Sequence, residues 1–315
     1  MYILGFDIGG TKCAAVIADW DGERVKILHK SRIDTDTSVT PYEILDRLMA
    51  AADEIIDHKP DAIGISCGGP LDSKAGVILS PPNLPGWDEV HIVKKIEEHY
   101  GVKPKLQNDA NASAVAEWKF GAGRGADNVI FLTFGTGLGA GLILNGRLYE
   151  GANGNAGEVG HIRLSDDGPI GFGKAGSFEG YCSGGGISRL GWKMALDETK
   201  NGNAPMYYSE GMKPSDVTAR TIADAAMKGD PTALEVYRIS GKRLGEGLSI
   251  LVDVLNPDKI VIGSVFARSG ELLIGAMKEV LEREALSASL DVCEIVAAEL
   301  GEAIGDYAAV ATALI

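Results

Sequence analysis

Cysteine is scarce: Cys13, Cys67, Cys182 and Cys293 are widely separated and form no C-x-x-C pair. That spacing argues against a cysteine-rich zinc site and suits thiols kept reduced in the cytosol. Basic residues are outnumbered, with 30 Lys and Arg against 44 Asp and Glu, a formal net charge of -14. So acidic a surface repels nucleic acid and anionic lipid. It still admits phosphorylated ligands, because a local nest of backbone N–H groups can hold a phosphate. No apolar run approaches membrane-spanning length, and the strand-like N-terminus lacks the basic start and apolar stretch of a leader. The expectation is a cytoplasmic protein with neither membrane nor nucleic acid as partner. No G-x-x-x-x-G-K-[ST] occurs, which excludes a Walker-type NTPase.

What is present is glycine, 42 residues of it, in a chain of 315 residues with 45% hydrophobic and 23% charged residues. This length buries a large core and favours two domains or lobes. The first segment runs from the apolar Tyr2 to Phe6 into Asp7, then Gly9-Gly10-Thr11-Lys12, then a second β-type run, Ala14 to Ala18. The pattern returns as Asn128 to Phe134, the loop Gly135-Thr136-Gly137-Leu138-Gly139-Ala140-Gly141, and Leu142 to Leu144, turned by Asn145-Gly146. This weak internal duplication suggests two related lobes facing each other. Helical spacing over 41–57, with Pro41 in the first turn, and the Asp230-Pro231 pair opening a long helix alternate with short buried strands such as Ala62–Ser66 and Lys259–Ser264. The class is α/β. Residues 151–186 are glycine-rich, irregular and long enough to be a functional loop.

The run Gly135 to Ala140 can be forced onto G-x-G-x-x-A, but a dinucleotide fold needs a helix after that turn, and here a hairpin follows. Two Gly/Thr hairpins, one in each half, can instead clamp a triphosphate with backbone N–H groups and hydroxyls. Hairpin chemistry alone explains the glycines almost as well; their pairing across the halves favours nucleotide.

Six motifs in order resemble the ROK family of sugar kinases and related repressors, within the actin/hexokinase superfamily. They are Asp7-Ile8-Gly9-Gly10-Thr11-Lys12; Pro82-Asn83-Leu84-Pro85-Gly86-Trp87; Asn108-Asp109-Ala110-Asn111-Ala112; Gly135-Thr136-Gly137-x-Gly139-x-Gly141; Ala156-Gly157-Glu158-x-Gly160-His161; and Asn256-Pro257-x-x-Ile260-Val261-Ile262-Gly263. The resemblance implies a two-lobed actin-like (ribonuclease H-like) fold with a cleft between lobes. Its expected boundaries are residues 1–113 and 114–302, with a terminal helix at 303–315 packing back on the first lobe.

The resemblance also implies roles. Asp109 becomes the general base that accepts the hydroxyl proton, and Asn108 a sugar ligand. Either residue could equally be the Asx cap of the helix that follows. Asp7 resembles the acidic group that orients Mg²⁺, often through water, although a turn-capping aspartate would look the same. Gly9, Gly10, Thr11 and Lys12 would line the β- and γ-phosphates of ATP, with Gly135, Thr136, Gly137 and Gly139 opposite, and Gly263 would let adenosine approach. The family usually continues with a second glycine, where this chain has Ser264. Glu158, His161 and Glu179 resemble the hexose-binding set, together with Asn83 and Gly68-Gly69; carboxylates and amides satisfy hydroxyls in both directions.

One stretch departs from the family. Where many members carry C-x-C-G-x-x-G-C-x-E and hold a structural zinc, this chain has Ile170, Phe172 and Ser177 at the three cysteine positions. With the thiolates gone, no zinc is expected, and an apolar contact by Ile170 and Phe172 is the expected replacement. The functional expectation is an ATP- and magnesium-dependent hexose kinase, homodimeric by family resemblance, with glucose and its 6-OH as default. Fructose, allose and N-acetylmannosamine remain open. Family repressors carry a DNA-binding extension before the first motif; Asp7 lies almost at the start here, and the charge disfavours DNA. The other alternative is a non-catalytic sugar-binding protein.

Overall fold

The structure, a computed structural model, describes residues 1–315. Along the chain run β1 (Tyr2–Ile8), β2 (Lys12–Trp20), β3 (Val25–Asp34), α1 (Pro41–Asp53), β4 (Ala62–Cys67), the short hairpin β5 (Leu71–Asp72) and β6 (Val77–Ile78), α2 (Ile92–Tyr100), β7 (Lys105–Asn108) and α3 (Asp109–Phe120). Then follow β8 (Val129–Phe134), β9 (Leu138–Leu144), β10 (Arg147–Leu148), a second short hairpin of β11 (Ile170–Gly171) and β12 (Lys174–Ala175), α4 (Phe178–Tyr181), α5 (Gly184–Lys200), α6 (Ala219–Ala226) and α7 (Pro231–Leu255). The chain ends with β13 (Lys259–Ile262), α8 (Val265–Ser269), α9 (Glu271–Glu284), α10 (Ser287–Leu290), β14 (Glu294–Ala297) and α11 (Ile304–Thr312).

Two five-stranded sheets share one plan. The first is ordered β3-β2-β1-β4-β7 and the second β10-β9-β8-β13-β14. In the first, β1, β2 and β3 are antiparallel, while β4 and β7 run parallel to β1. In the second, β8, β13 and β14 are parallel and β9 and β10 antiparallel to each other. The repetition seen in the two glycine hairpins therefore extends to whole sheets. Residues group into two units: 1–127, 141–156 and 299–315 form the first, and 128–140 and 157–298 the second. The division thus falls after Asp127, not at 113/114, because α3 packs on α11 within the first unit. The segment 141–156 also belongs to the first unit.

Sequence chemistry sets the elements. Thr40 caps α1 in a capping box with Glu43, and Pro41 occupies the first turn, where no N–H is needed. Asp230 caps α7 through the Ala233 N–H at 2.8 Å, and Asn256 ends it in the left-handed region at φ 43. Asn145 and Gly146, both at positive φ, turn β9 into β10. In the first unit, Leu4, Phe6, Ile65, Leu45, Leu48 and Trp87 form one apolar cluster. Across the sheet lies α11, admitted by bare backbone: Gly5 and Gly64 are register partners, and a Cβ on Gly64 would overlap the Ala309 carbonyl. Glu117, fully buried in α3, ties down the segment entering α11 by accepting from the Glu299 and Leu300 N–H groups at 3.2 and 2.9 Å. No helix is long and apolar enough to cross a membrane.

The close seat of α11 yields a paired prediction. Gly64→Ala pushes a methyl into a backbone carbonyl and is expected to destabilise the protein by about 1–3 kcal/mol. Gly275→Ala, exposed within α9 with open space around it, is expected to stabilise by about 0.5–1 kcal/mol. Urea denaturation of both variants checks the pair.

Candidate active site

The first unit gathers Asp7, Gly9 to Lys12, Gly68, Gly69, Asn83, Asn108 and Asp109 around the ends of β1, β4 and β7. The β1–β2 turn is closed by the Gly9 N–H donating to the Lys12 carbonyl at 3.1 Å and braced by the Thr35 hydroxyl donating to the Gly9 carbonyl at 2.6 Å. Thr11 and Lys12 are exposed at its tip. The loop 81–87 is anchored by buried Leu84 and Trp87, with successive turns from Pro81 to Leu84 and Leu84 to Trp87. That anchoring leaves Asn83 exposed. A Cβ on Gly10 would overlap the Asn83 carbonyl, and one on Gly68 would sit 3.3 Å from its Oδ1. Glycine at both positions is what lets this loop lie close against the β1–β2 turn and the end of β4.

At the β7–α3 junction, Asn108 is the N-cap, its Oδ1 accepting from the Asn111 N–H at 2.8 Å. Asp109 is the first helical residue, exposed, and its Oδ1 accepts from the Ala110 N–H at 2.9 Å. Asp7 is half-buried at the end of β1. The start of α11 is set against it: a Cβ on Gly305 would lie 2.6 Å from its Oδ2. Its carboxyl is pushed up to about 6, mainly by burial and then by the charge of Asp306. Lys30 and Arg32 oppose the rise, and Asp109 adds to it. Lys30 and Asp306 are themselves ion-paired. The donor chemistry suits magnesium, a hard cation that binds one or two carboxylates and otherwise water and phosphate. No trio of His, Cys, Asp or Glu gathers to hold a metal on side chains alone.

The second unit gathers the other hairpin and the expected sugar residues. Gly135 N–H donates to the Gly137 carbonyl at 3.1 Å. Glu179, on α4, accepts from the Leu138 N–H through Oε2 at 3.1 Å, joining its carboxyl directly to the β8–β9 hairpin. Gly157, at φ 92, and Gly160 press backbone against Ala140 and Leu138 of β9, which leaves Glu158 between them and His161 just beyond them exposed. Gly263 is buried, and a Cβ on it would lie 3.2 Å from the Phe131 ring, so the exposed residue at the end of β13 is Ser264. Ser264 adopts φ 50 and ψ -107, a conformation natural to glycine.

The loop expected to be clipped by Ile170 and Phe172 is ordered differently. Those side chains are 54% and 77% exposed, too open for an apolar clip. Phe172 instead sets its ring edge-on to His161 at 5.3 Å. Polar bonds do the ordering: Lys174 Nζ donates to the His161 carbonyl at 2.6 Å and Arg163 to the Ala175 carbonyl at 2.8 Å. Buried Ser177 caps α4, accepting from the Gly180 N–H at 3.1 Å.

Sequence reading missed α5. Its N-terminal Gly184 and Gly185 N–H groups donate to the Gly135 and Thr136 carbonyls at 2.7 and 3.3 Å, and Ser183 caps it through the Gly186 N–H. The hairpin is thus held by a helix N-terminus. The Ser183 cap was the available signal; three consecutive glycines, poor helix formers, masked it.

Two sheets of one plan, each with a Gly/Thr hairpin between its leading strands, define an α/β protein of the actin-like ATPase fold. The chain belongs to the ROK family, whose profile matches residues 3–314. It is 32% identical over 305 residues to a glucokinase of Streptomyces coelicolor, covering 96% of this chain and 94% of that protein. The crystal structure of a ROK family glucokinase from Streptomyces griseus in complex with glucose and AMPPNP superposes with a TM-score of 0.77 at 32% identity, covering 100% and 99% of the two chains. The transcriptional regulator NagC of Escherichia coli is also 32% identical, over 262 residues, and this chain spans 61% of its length.

Two predictions follow from the local geometry. The folded chain keeps the Asp7 proton to about pH 6, whereas the unfolded chain releases it near 3.8. Asp7 therefore weakens the fold as pH rises through that window, by up to about 3 kcal/mol. In metal-free buffer, Asp7→Asn is expected to be more stable than the parent at pH 7.5, with the gain vanishing towards pH 4, in urea titrations across that range. Ser264→Gly is expected to gain about 1 kcal/mol by relieving the positive φ, read from the same denaturation midpoints.

Proposed function

We propose that this chain is an ATP-dependent hexose kinase that moves the γ-phosphoryl group of ATP to a sugar hydroxyl, with the 6-OH of glucose as its acceptor. The observation that carries the proposal is the division of labour at the β7–α3 junction: Asn108 takes the cap, and Asp109 stands exposed as the first residue of the helix. An aspartate held rigidly there suits a general base that receives the hydroxyl proton as the alcohol attacks. Gly9 to Lys12 would line the triphosphate, as would Gly135 to Gly137, with threonine hydroxyls and those backbone N–H groups that do not already close each turn. Asp7 would hold magnesium, which when bound would neutralise charge on the phosphate oxygens. Glu158, His161, Glu179, Asn83 and Asn108, with Gly68 and Gly69, would bind the sugar hydroxyls. Similarity to the glucose- and AMPPNP-bound Streptomyces griseus glucokinase supports both ligands. The net charge of -14 weighs against a DNA-binding role like that of NagC.

A coupled ADP-release assay over a hexose panel tests the proposal. Glucose is expected to turn over, and Asp109→Asn to lower kcat by about 10²–10⁴-fold while calorimetry shows glucose still bound. Glucose binding by the parent with no turnover would instead establish the sugar-binding, regulator-like reading.

A further inference from the structure

We propose that Gln107 and Glu150 are positioning residues for phosphoryl transfer: the Gln107 side chain, held by the Glu150 carboxyl, fixes the junction that presents Asp109. This inference rests on the kinase reading above.

The junction needs such a device. β7 is the outermost strand of the first sheet, so strand pairing fixes its end from one side only, through Cys67 and Asn108. On that end sits Asp109. Gln107, 4% exposed, supplies the missing constraint. Its Oε1 accepts from the Asn108 N–H at 2.9 Å and from Asn111 Nδ2 at 3.1 Å. One oxygen thereby grips the residue before Asp109 and the fully buried side chain two residues after it. Gln107 is oriented in turn: its Nε2 donates to Glu150 Oε1 at 3.0 Å, and the Ser73 hydroxyl donates to the same oxygen at 3.0 Å.

Glu150 sits at a telling place in the chain. Its carbonyl accepts from the Ala156 N–H at 3.1 Å, closing the neck of the glycine-rich loop 150–156. That loop runs straight into Gly157 and Glu158, and the strand before it leads back to the Gly135–Gly139 hairpin. The Glu150–Gln107 bond therefore joins the base-bearing junction to the covalent stretch linking the second hairpin and the Glu158–His161 turn.

The chemistry of the pair is specific. Gln107 uses its oxygen as a double acceptor and its nitrogen as a donor, which only an amide can do. A glutamate at 107 keeps both acceptor bonds, loses the single donor and sets two carboxyl oxygens against each other. A small displacement of Asp109 would follow, and transfer rates respond steeply to such displacement.

The test uses a swap. Gln107→Glu is expected to lower kcat about tenfold to a hundredfold with both KM values unchanged. Its kcat is expected to recover as pH falls and the carboxyl pair shares a proton. The double variant Gln107→Glu/Glu150→Gln rebuilds one donor–acceptor pair in reverse and is expected to recover kcat. Hydrogen exchange at residues 109–112 is expected to quicken in Gln107→Glu and return in the double variant. Parental kcat in Gln107→Glu, or a folded double variant no faster than the single one, overturns the inference while leaving the kinase reading intact. Absence of turnover by the parent chain on any hexose overturns the kinase reading, and the positioning role falls with it.

Discussion

The hydrogen bond from the Asn111 N–H to the Asn108 side chain governs what the centre of the first unit can do. A helix beginning at the end of a strand must have a cap, and two adjacent side chains here could provide it. Because Asn108 does so, the next carboxylate is set at the helix start with fixed direction and solvent access. The charge of Asp109 reaches Asp7 and Cys67, placing it among the ends of β1 and β4. Capping, an ordinary stabilising interaction, is thereby coupled to the placement of a group suited to accept a proton.

The two glycine hairpins depend on a second constraint, close approach of neighbouring segments. Gly10 lies against the Asn83 carbonyl, Gly137 beside the Glu179 carboxyl, and Gly157 and Gly160 against β9. In each case a methyl group would force the two segments apart. The glycines therefore shape each unit so that residues suited to the two substrates stand together. The Asp7 carboxyl, half-buried near Asp306 and Asp109, shows the same priority: it weakens the metal-free fold and suits a cation.

Much of the architecture was legible because its signals are local. Thr40-Pro41, Asp230-Pro231, Asn145-Gly146 and Asn256 each carry a backbone preference that the fold uses. The doubled hairpin foretold two sheets of one plan. What escaped has non-local causes. α5 opens on three glycines, and its role as a brace for Gly135 and Thr136 exists only once the fold has formed. The extent of the first unit rests on α3 packing against α11, nearly two hundred residues further along the chain. The Ile170–Phe172 clip was inferred from missing cysteines, but the loop is ordered by backbone-directed bonds from Lys174, Arg163 and Ser177, which residue substitution alone does not reveal. Gln107 and Glu150 lie 43 positions apart, and no sequence pattern links them.

If Asp109 accepts the proton of the sugar hydroxyl, a terminal phosphoryl group passes from nucleotide to carbohydrate only where its carboxylate is intact. NMR of a reaction holding ATP, magnesium and carbon-13-labelled glucose tests it most directly, by following phosphorus and carbon together. One glucose 6-phosphate is expected for each ADP formed, seen as phosphorus coupling at carbon 6. ADP accumulating with glucose unchanged, or no ADP above the level of the Asp109→Asn protein, would contradict it.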